Sequence, residues 1–244
     1  MNNQIDTGHV PVDCACVIHG DVYNWVYVER LYNMLSRHIS AGIRLHVYTE
    51  QERPVPSPMI KHVLPNWGIS GPKRSWWYKM QLFNSEHHAG PLLYFDLDTV
   101  IVSNIDWICQ LPLHYFWSVR DFKYLWRPAY QNINSSIMWW DTRTFDYVWK
   151  DFEQHTLEKL MKKYRGDQDY IADAVSSDHQ RFLDSDRIKS WRWECINGGY
   201  NFKRQAHQNT DQETTISNTT SVLVFHGQPK PNNVQDPLID LHWR

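Results

Sequence analysis

Two carboxylates one residue apart, Asp96 and Asp98, close the apolar run Leu92-Leu93-Tyr94-Phe95, and a second apolar run, Val100-Ile101-Val102, follows them after Thr99. The first run reads as a buried strand that bends at the aspartates. Residues two apart on a regular strand face the same side, so the carboxylates share one face. Carboxylates held that close repel unless a cation lies between them. Oxygen ligands of this kind suit Mg²⁺ or Mn²⁺, ions that share their coordination shell with substrate phosphates. The pair points to a metal–phosphate site at a strand end, although an isolated D-x-D more often only stops a strand. Later segments offer companions. His226 follows the apolar run Ser221 to Phe225 and precedes Gly227, where its imidazole could be a third ligand or an ordinary loop residue. Lys230 could neutralise a diphosphate leaving group. Asp167 and Asp169 follow Gly166 at the start of a helical pattern, where carboxylates either cap free N–H groups or do chemistry.

The elements that must position these groups follow from periodicity. Val12 to Ile18 reads as a buried strand and His19 to Tyr23 as a turn. Asn24 to His38 reads as a helix with Val28, Leu31, Met34 and Leu35 at helical spacing; Ala41-Gly42 breaks it, and Ile43 to Tyr48 is a second strand. This βαβ opening implies a parallel sheet with a right-handed crossover. Ligands on such sheets gather at the carboxyl ends of strands, where His19 to Tyr23 falls. Further strands are expected at Ile60 to Leu64, His114 to Val119, Ile133 to Trp140, Ile188 to Trp193 and Ser221 to Phe225. Helices are expected over Ser75 to Glu86, over Thr144 to Tyr164 as one long amphipathic rod, and from Asp167 to about Val175. Gln205 to Thr220 is polar and reads as a mobile loop. Alternation that turns irregular later suits one α/β domain over residues 12–231, with a flexible tail at 1–11 and a C-terminal tail at 232–244.

Composition narrows the classes. The 244 residues carry a net charge of −2, which leaves no broad electrostatic footprint for nucleic acid. Cys14, Cys16, Cys109 and Cys195 are too scattered for a disulfide scaffold, and Cys14-Ala15-Cys16 reads as apolar filling of a strand. No secretory signal opens the sequence and no apolar run approaches a membrane span, so a cytoplasmic protein is expected. Trp126, Trp139, Trp140, Trp191 and Trp193 could stack sugars, but core packing is the expected role for at least half of them.

In order along the chain, "HGDVYNWVYVERLYNML", "KRSWWYKMQLF", "LLYFDLDTVIVSNI", "INSSIMWWD", "GDQDYI" and "FHGQPKP" resemble the motifs of retaining glycosyltransferases of the GT-A fold, close to family 8, the group of glycogenin and the lipopolysaccharide galactosyltransferases. The likeness spans roughly Val12 to Pro231. It implies a mostly parallel central sheet flanked by helices, with a second half that builds the acceptor side. It implies Mn²⁺ or Mg²⁺ held by Asp96 and Asp98 with His226. Lys230 and the amide of Gly227 would contact the diphosphate. Asp21 and Tyr23 would contact the base, uracil in a UDP-sugar, and Lys79 and Arg74 the donor phosphate or sugar. Asn134 would lie beside the donor sugar. Asp167, Gln168 and Asp169 would line its pocket, with Gln168 nearest the anomeric carbon. Ser136 stands where the family pattern has a glycine. The acceptor, whether glycan, lipid-linked sugar, protein or small molecule, is not specified.

That chemistry is physically coherent. Cleavage of a sugar–phosphate bond leaves a diphosphate with extra charge, which a divalent ion and an ammonium stabilise where it develops. An amide oxygen or carboxylate can support the oxocarbenium-like sugar. Two other readings compete. A phosphatase of the haloacid-dehalogenase type would use Asp96 as nucleophile and Asp98 as acid/base, but its motif ends the first strand of its domain, and it needs a late acidic pair or Gly-Asp-x-x-x-Asp, whose last place after Gly166-Asp167 holds Ile171. A non-catalytic carbohydrate-binding module on the same fold is the other.

Overall fold

The computed structural model describes residues 10–196, 200–201, 206–207 and 213–244. The expected N-terminal tail falls outside these apart from Val10 and Pro11, and so does part of the expected polar loop, Gln205 and 208–212.

The chain opens as its periodicity requires. Strand β1 (Val12–Val17) leads through helix α1 (Trp25–His38) to β2 (Ile43–Thr49), which pairs with β1 in parallel, Val12 opposite Ile43. Val28, Leu31, Met34 and Leu35 of α1 are buried. Strand β3 (Ile60–Val63) adds to the outer edge of β2. A short helix α2 (Pro72–Ser75) and a 3₁₀ segment (Trp76–Phe83) lead to β4 (Pro91–Phe95), parallel to β1 on its other side. At Asp96 the chain leaves this sheet, and β5 (Thr99–Ile101) joins a second one.

Helix α3 (Asp106–Cys109), β6 (Phe116–Arg120), β7 (Ile133–Asp141), helices α4 (Asp146–Glu153), α5 (Leu157–Lys163) and α6 (Asp167–Ala174), then β8 (Gln180–Phe182) and β9 (Ile188–Ser190) follow. A two-stranded pair, β10 (Tyr200–Asn201) and β11 (Ala206–His207), precedes β12 (Val222–Val224) and helix α7 (Pro237–His242). The main sheet has the order β3-β2-β1-β4-β7-β6-β8, with β7 antiparallel to both its neighbours and the other pairings parallel. The second sheet, β5-β12-β9, packs across one face.

Strand alternation divides the core in two. Cys14 and Cys16 of β1 face one cluster, with α1, β5 and β12, while Ala15 faces the other, with the 3₁₀ segment, α4 and α6. Both cysteines are free and fully buried, as apolar filling should be. After Pro231 the chain returns to α1: the Tyr27 hydroxyl donates to Asn232, and Ile239 and Trp243 enter the first cluster. Among the described residues no helix is long and apolar enough to cross a membrane.

Three expected elements differ. Ser75 to Glu86 is a 3₁₀ segment over Trp76–Phe83 rather than an α-helix. Three residues per turn stack Trp77, Met80 and Phe83 in one buried row and keep Trp76 and Lys79 in another, facing the cavity described below. The long rod over Thr144 to Tyr164 is two helices, broken at Thr156. On a straight helix Leu160 would sit about 80° round from Phe152; the break brings both into the second cluster. The strand at Ile188 to Trp193 stops at Ser190, where a π-helical turn (Trp191–Cys195) buries Trp191 against Phe225.

Candidate active site

The carboxyl ends of β1 and β4 and the opposite end of antiparallel β7 meet at one side of the sheet. There they enclose a cavity of about 520 Å³, of the size that holds small ligands. The 3₁₀ segment, the first residues of α6 and the loop after β12 complete its wall.

Asp96 and Asp98 sit where the chain passes from one sheet to the other, and both line the cavity. Each carboxylate is held by one ammonium and one phenol. Lys79 Nζ lies 2.8 Å from Asp96, and the Tyr94 hydroxyl donates to the same oxygen at 2.6 Å. Lys230 pairs with Asp98, and the Tyr23 hydroxyl donates to it at 3.0 Å. A third carboxylate, Asp167 at the start of α6, is 3.4 Å from Lys79 and accepts the Ser135 hydroxyl at 2.8 Å. Burial penalises the Lys79 ammonium, but Asp167 and Asp96 outweigh it and hold its pKa above the ordinary lysine value. Burial pushes the Asp98 and Asp167 carboxyls up, against the pull of Lys230 and Lys79 respectively.

Gln168 is fixed at both ends of its amide: Nε2 donates to Asp121 at 3.2 Å and Oε1 accepts the Ser135 backbone N–H at 3.4 Å. Asp169 accepts from the Asn132 amide at 3.2 Å, and Asn134 accepts the Ser136 N–H at 3.0 Å. Ser136, in the glycine position of the motif, is buried in the cavity wall. Gly227 has φ 80°, a conformation open to glycine, and a Cβ there would meet Arg192 Nη1 at 2.6 Å. Its amide thereby stays uncovered by any side chain of its own.

Of the residues singled out in the sequence, Tyr23, Lys79, Asp96, Asp98, Asn134, Asp167, Gln168, Asp169, His226, Gly227 and Lys230 all line this cavity. Asp21 and Arg74 do not; both are exposed outside its wall. The turn after β1 is anchored from the other side, where Glu50 accepts the Gly20 N–H and Arg53 donates to the Gly20 carbonyl at 2.8 Å. This turn presents His19 and Tyr23 to the cavity. Residues that sequence reasoning missed are Tyr94, Lys123, Ser135 and Asp121. Tyr94 and Ser135 lie inside motifs already noticed, but Lys123 lies on a short 3₁₀ turn (Phe122–Leu125) that Asp121 caps, where a loop is expected.

His226 lines the cavity but is not drawn together with the two aspartates. Among the described residues the only trio of metal-capable side chains whose ligand atoms lie within 4.8 Å of one another is Asp13, His46 and His88, elsewhere in the fold. The His226 ring stacks on Phe122, with centroids 5.1 Å apart, and meets the edge of Trp193. Its Nε2 lies 2.7 Å from Ser190 Oγ. Burial, with Arg192, Lys230 and Lys123 nearby, holds its pKa down to about 3, so the imidazole is neutral. In the tautomer that donates Nε2–H to Ser190, Nδ1 keeps its lone pair. Asp96 and Asp98 are oxygen donors that suit Mn²⁺ or Mg²⁺, and His226 lines the same cavity.

No protein-family model matches the sequence, and no curated protein matches it. Solved structures do match the fold. The glycosyltransferase GlyE of Streptococcus pneumoniae TIGR4 superposes with a TM-score of 0.67 at 13% identity, over 95% of this chain and 60% of its own. This chain therefore spans less than two thirds of GlyE. The galactosyltransferase LgtC, in complex with donor and acceptor sugar analogs, gives 0.56 at 14% identity, over 90% of this chain and 89% of its own. Mouse xyloside xylosyltransferase 1 gives 0.53 at 14% identity, over 90% of this chain and all (100%) of its own. The chain has the fold of GT-A-type glycosyltransferases: mixed α/β, with a mostly parallel seven-stranded sheet flanked by helices.

Proposed function

We propose that this chain is a glycosyltransferase that takes a hexose from a nucleoside-diphosphate sugar, a UDP-sugar in particular, and passes it to an acceptor with retention at the anomeric carbon. The observation that carries the reading is the meeting of Asp96, Asp98, Lys79, Lys230 and Gln168 around one cavity at the carboxyl ends of the sheet. They come from four separated segments of the chain. The GT-A fold and the family 8 motifs support the same conclusion.

Each side chain has a role in this proposal. Tyr23 offers a ring edge to the base. Lys230 exchanges Asp98 for the diphosphate as the donor enters, and the Gly227 amide donates to the same group. Lys79 is held by Asp96 and Asp167, so it stays protonated and bridges the diphosphate side of the cavity to the sugar side. Asp169 and Asn134 accept from sugar hydroxyls. The Gln168 amide, held by Asp121 and Ser135, presents its oxygen to the positive charge that develops at the anomeric carbon. Asp96 and Asp98, with Nδ1 of His226, would hold Mn²⁺ or Mg²⁺, whose charge offsets that of the departing diphosphate.

Release of UDP from a panel of UDP-hexoses, with and without Mn²⁺, tests the reading. Metal-dependent UDP release from at least one donor is expected. Hydrolysis of simple phosphate esters with no turnover of any nucleotide sugar would support the phosphatase reading, while sugar binding with no turnover would support the carbohydrate-binding module.

A further inference from the structure

A second polar cluster lies on β1, β2 and the loop ahead of β4. Asp13 is the second residue of β1 and His46 lies on β2; in this parallel pair Ala15 is opposite His46, so Asp13, Ala15 and His46 share a face. The small Ala15 side chain leaves the His46 imidazole room to lean back to Asp13, with Nε2 2.9 Å from Oδ1. His88 arrives from the loop ahead of β4, with Nε2 4.0 Å from Asp13 Oδ2 and its ring centroid 4.8 Å from that of His46. His46 is buried, and the side chains of Asp13 and His88 are only 12% and 11% exposed.

We propose that Asp13, His46 and His88 form a binding site for a transition-metal ion of the zinc class, separate from the cavity. Two imidazoles and one carboxylate, all with ligand atoms within 4.8 Å of one another, are the donor set of a three-ligand zinc site with one position left for water. Imidazole nitrogen favours such ions over Mg²⁺, which the all-oxygen pair Asp96 and Asp98 favours.

The surroundings supply what such ligands need behind them. His62 on β3 places Nε2 2.8 Å from His46 Nδ1. Without an ion, His46 donates Nε2–H to Asp13 and accepts from His62 at Nδ1. With an ion on Nε2, the His46 proton sits on Nδ1 and is donated to His62, a partner that fixes ring orientation. Tyr48 stacks on His62 with centroids 4.4 Å apart and holds it in place. Two contacts must yield. His88 now donates Nε2–H to the Pro91 carbonyl at 3.1 Å, and it shifts to the Nδ1–H tautomer. Arg44 holds Asp13 through Nε and Nη2, each at 2.6 Å. Its side chain is 49% exposed, so it can swing into water at little cost.

Co²⁺ titration of the tag-free full chain, followed by visible spectroscopy, tests this. The d–d bands of four-coordinate cobalt are expected to saturate at one equivalent and to vanish on adding Zn²⁺. His88→Gln, at the partly exposed ligand, keeps the fold and is expected to weaken binding tenfold or more. His62→Phe is expected to weaken it about tenfold through loss of the outer partner. Asp98→Asn, in the cavity, is expected to leave the bands unchanged. Absence of the bands, or bands that persist with unchanged affinity in His88→Gln, overturns the proposal, as does their loss in Asp98→Asn.

Discussion

Two regions of β1 and its neighbours carry polar clusters of opposite character. At the carboxyl ends, carboxylates meet ammoniums: Asp96 with Lys79, Asp98 with Lys230, and Asp167 with Lys79. Away from those ends, between Asp13 at the start of β1 and the middle of β2, imidazoles meet one another and one carboxylate: His62 with His46, and His46 with Asp13. The first cluster lines an open cavity and its pairs can be exchanged for ligand charge. The second is a relay of hydrogen-bonded side chains against the sheet face. Parallel strands place all their carboxyl ends on one side, so the groups that follow strands converge there. Groups that precede strands or lie within them converge through register and through the loops that return to the sheet.

The contrast can be broken most forcefully at Lys79. It is buried between two carboxylates, and Lys79→Met leaves both without a counter-ion. A loss of about 3–5 kcal/mol in unfolding free energy is expected in denaturant titration. A loss below 1 kcal/mol would mean the cavity carboxylates do not depend on it.

Catalysis gives the next largest effect. Asp98→Asn keeps the shape of the side chain and removes its charge beside Lys230. UDP release is expected to fall about 10²- to 10³-fold, read as kcat under saturating donor. Retention of activity would place the chemistry elsewhere.

Glu50 sharpens the comparison, because it anchors the turn that carries His19 and Tyr23. Its pKa is held down to about 2: burial raises it, but Arg53 and the Gly20 N–H more than compensate. The folded value lies below the unfolded one, so its stabilisation is complete above pH 4.5 and is lost as pH falls towards 2. Glu50→Gln is expected to cost about 2 kcal/mol at pH 7 and progressively less in melts run between those limits. A constant difference across that window would contradict the assignment.

The smallest effect is expected at the amino ends. Arg44 pairs with Asp13 in a half-exposed setting, so Arg44→Ala is expected to cost less than about 1 kcal/mol in the same denaturant titration. A larger loss would show that the imidazole cluster depends on that pair as the cavity depends on Lys79.

The same contrast explains what could be read from the sequence. Asp96 and Asp98 end an apolar run, Asp167 to Asp169 open a helix, and His226 to Lys230 follow a strand. Each is a local pattern at an element end, and each lines the cavity. The βαβ opening was legible because α1 keeps one apolar stripe in register for its whole length. The 3₁₀ segment was not, since Trp77 to Phe83 is buried on nearly every side and shows no stripe to count. The way His226 is held in the cavity wall could not be read either. Stacking on Phe122 and the bond to Ser190 hold the ring, and both partners are remote in sequence. Asp121, which fixes Gln168, and the cluster of Asp13, His46, His62 and His88 consist of single residues in unrelated segments. Strand register and the loops that return to the sheet assemble them.

The central claim is that the carboxyl-end cavity takes up a nucleoside diphosphate through Asp98, Lys230 and a divalent ion. The most direct measurement is the melting temperature of the wild-type chain and of Asp98→Asn with UDP, each with and without Mn²⁺, since a ligand that binds only the folded state raises it. The account predicts a rise for the wild type that requires UDP and Mn²⁺ together and is lost in Asp98→Asn. No rise in the wild type, or an equal rise in the variant, would contradict it.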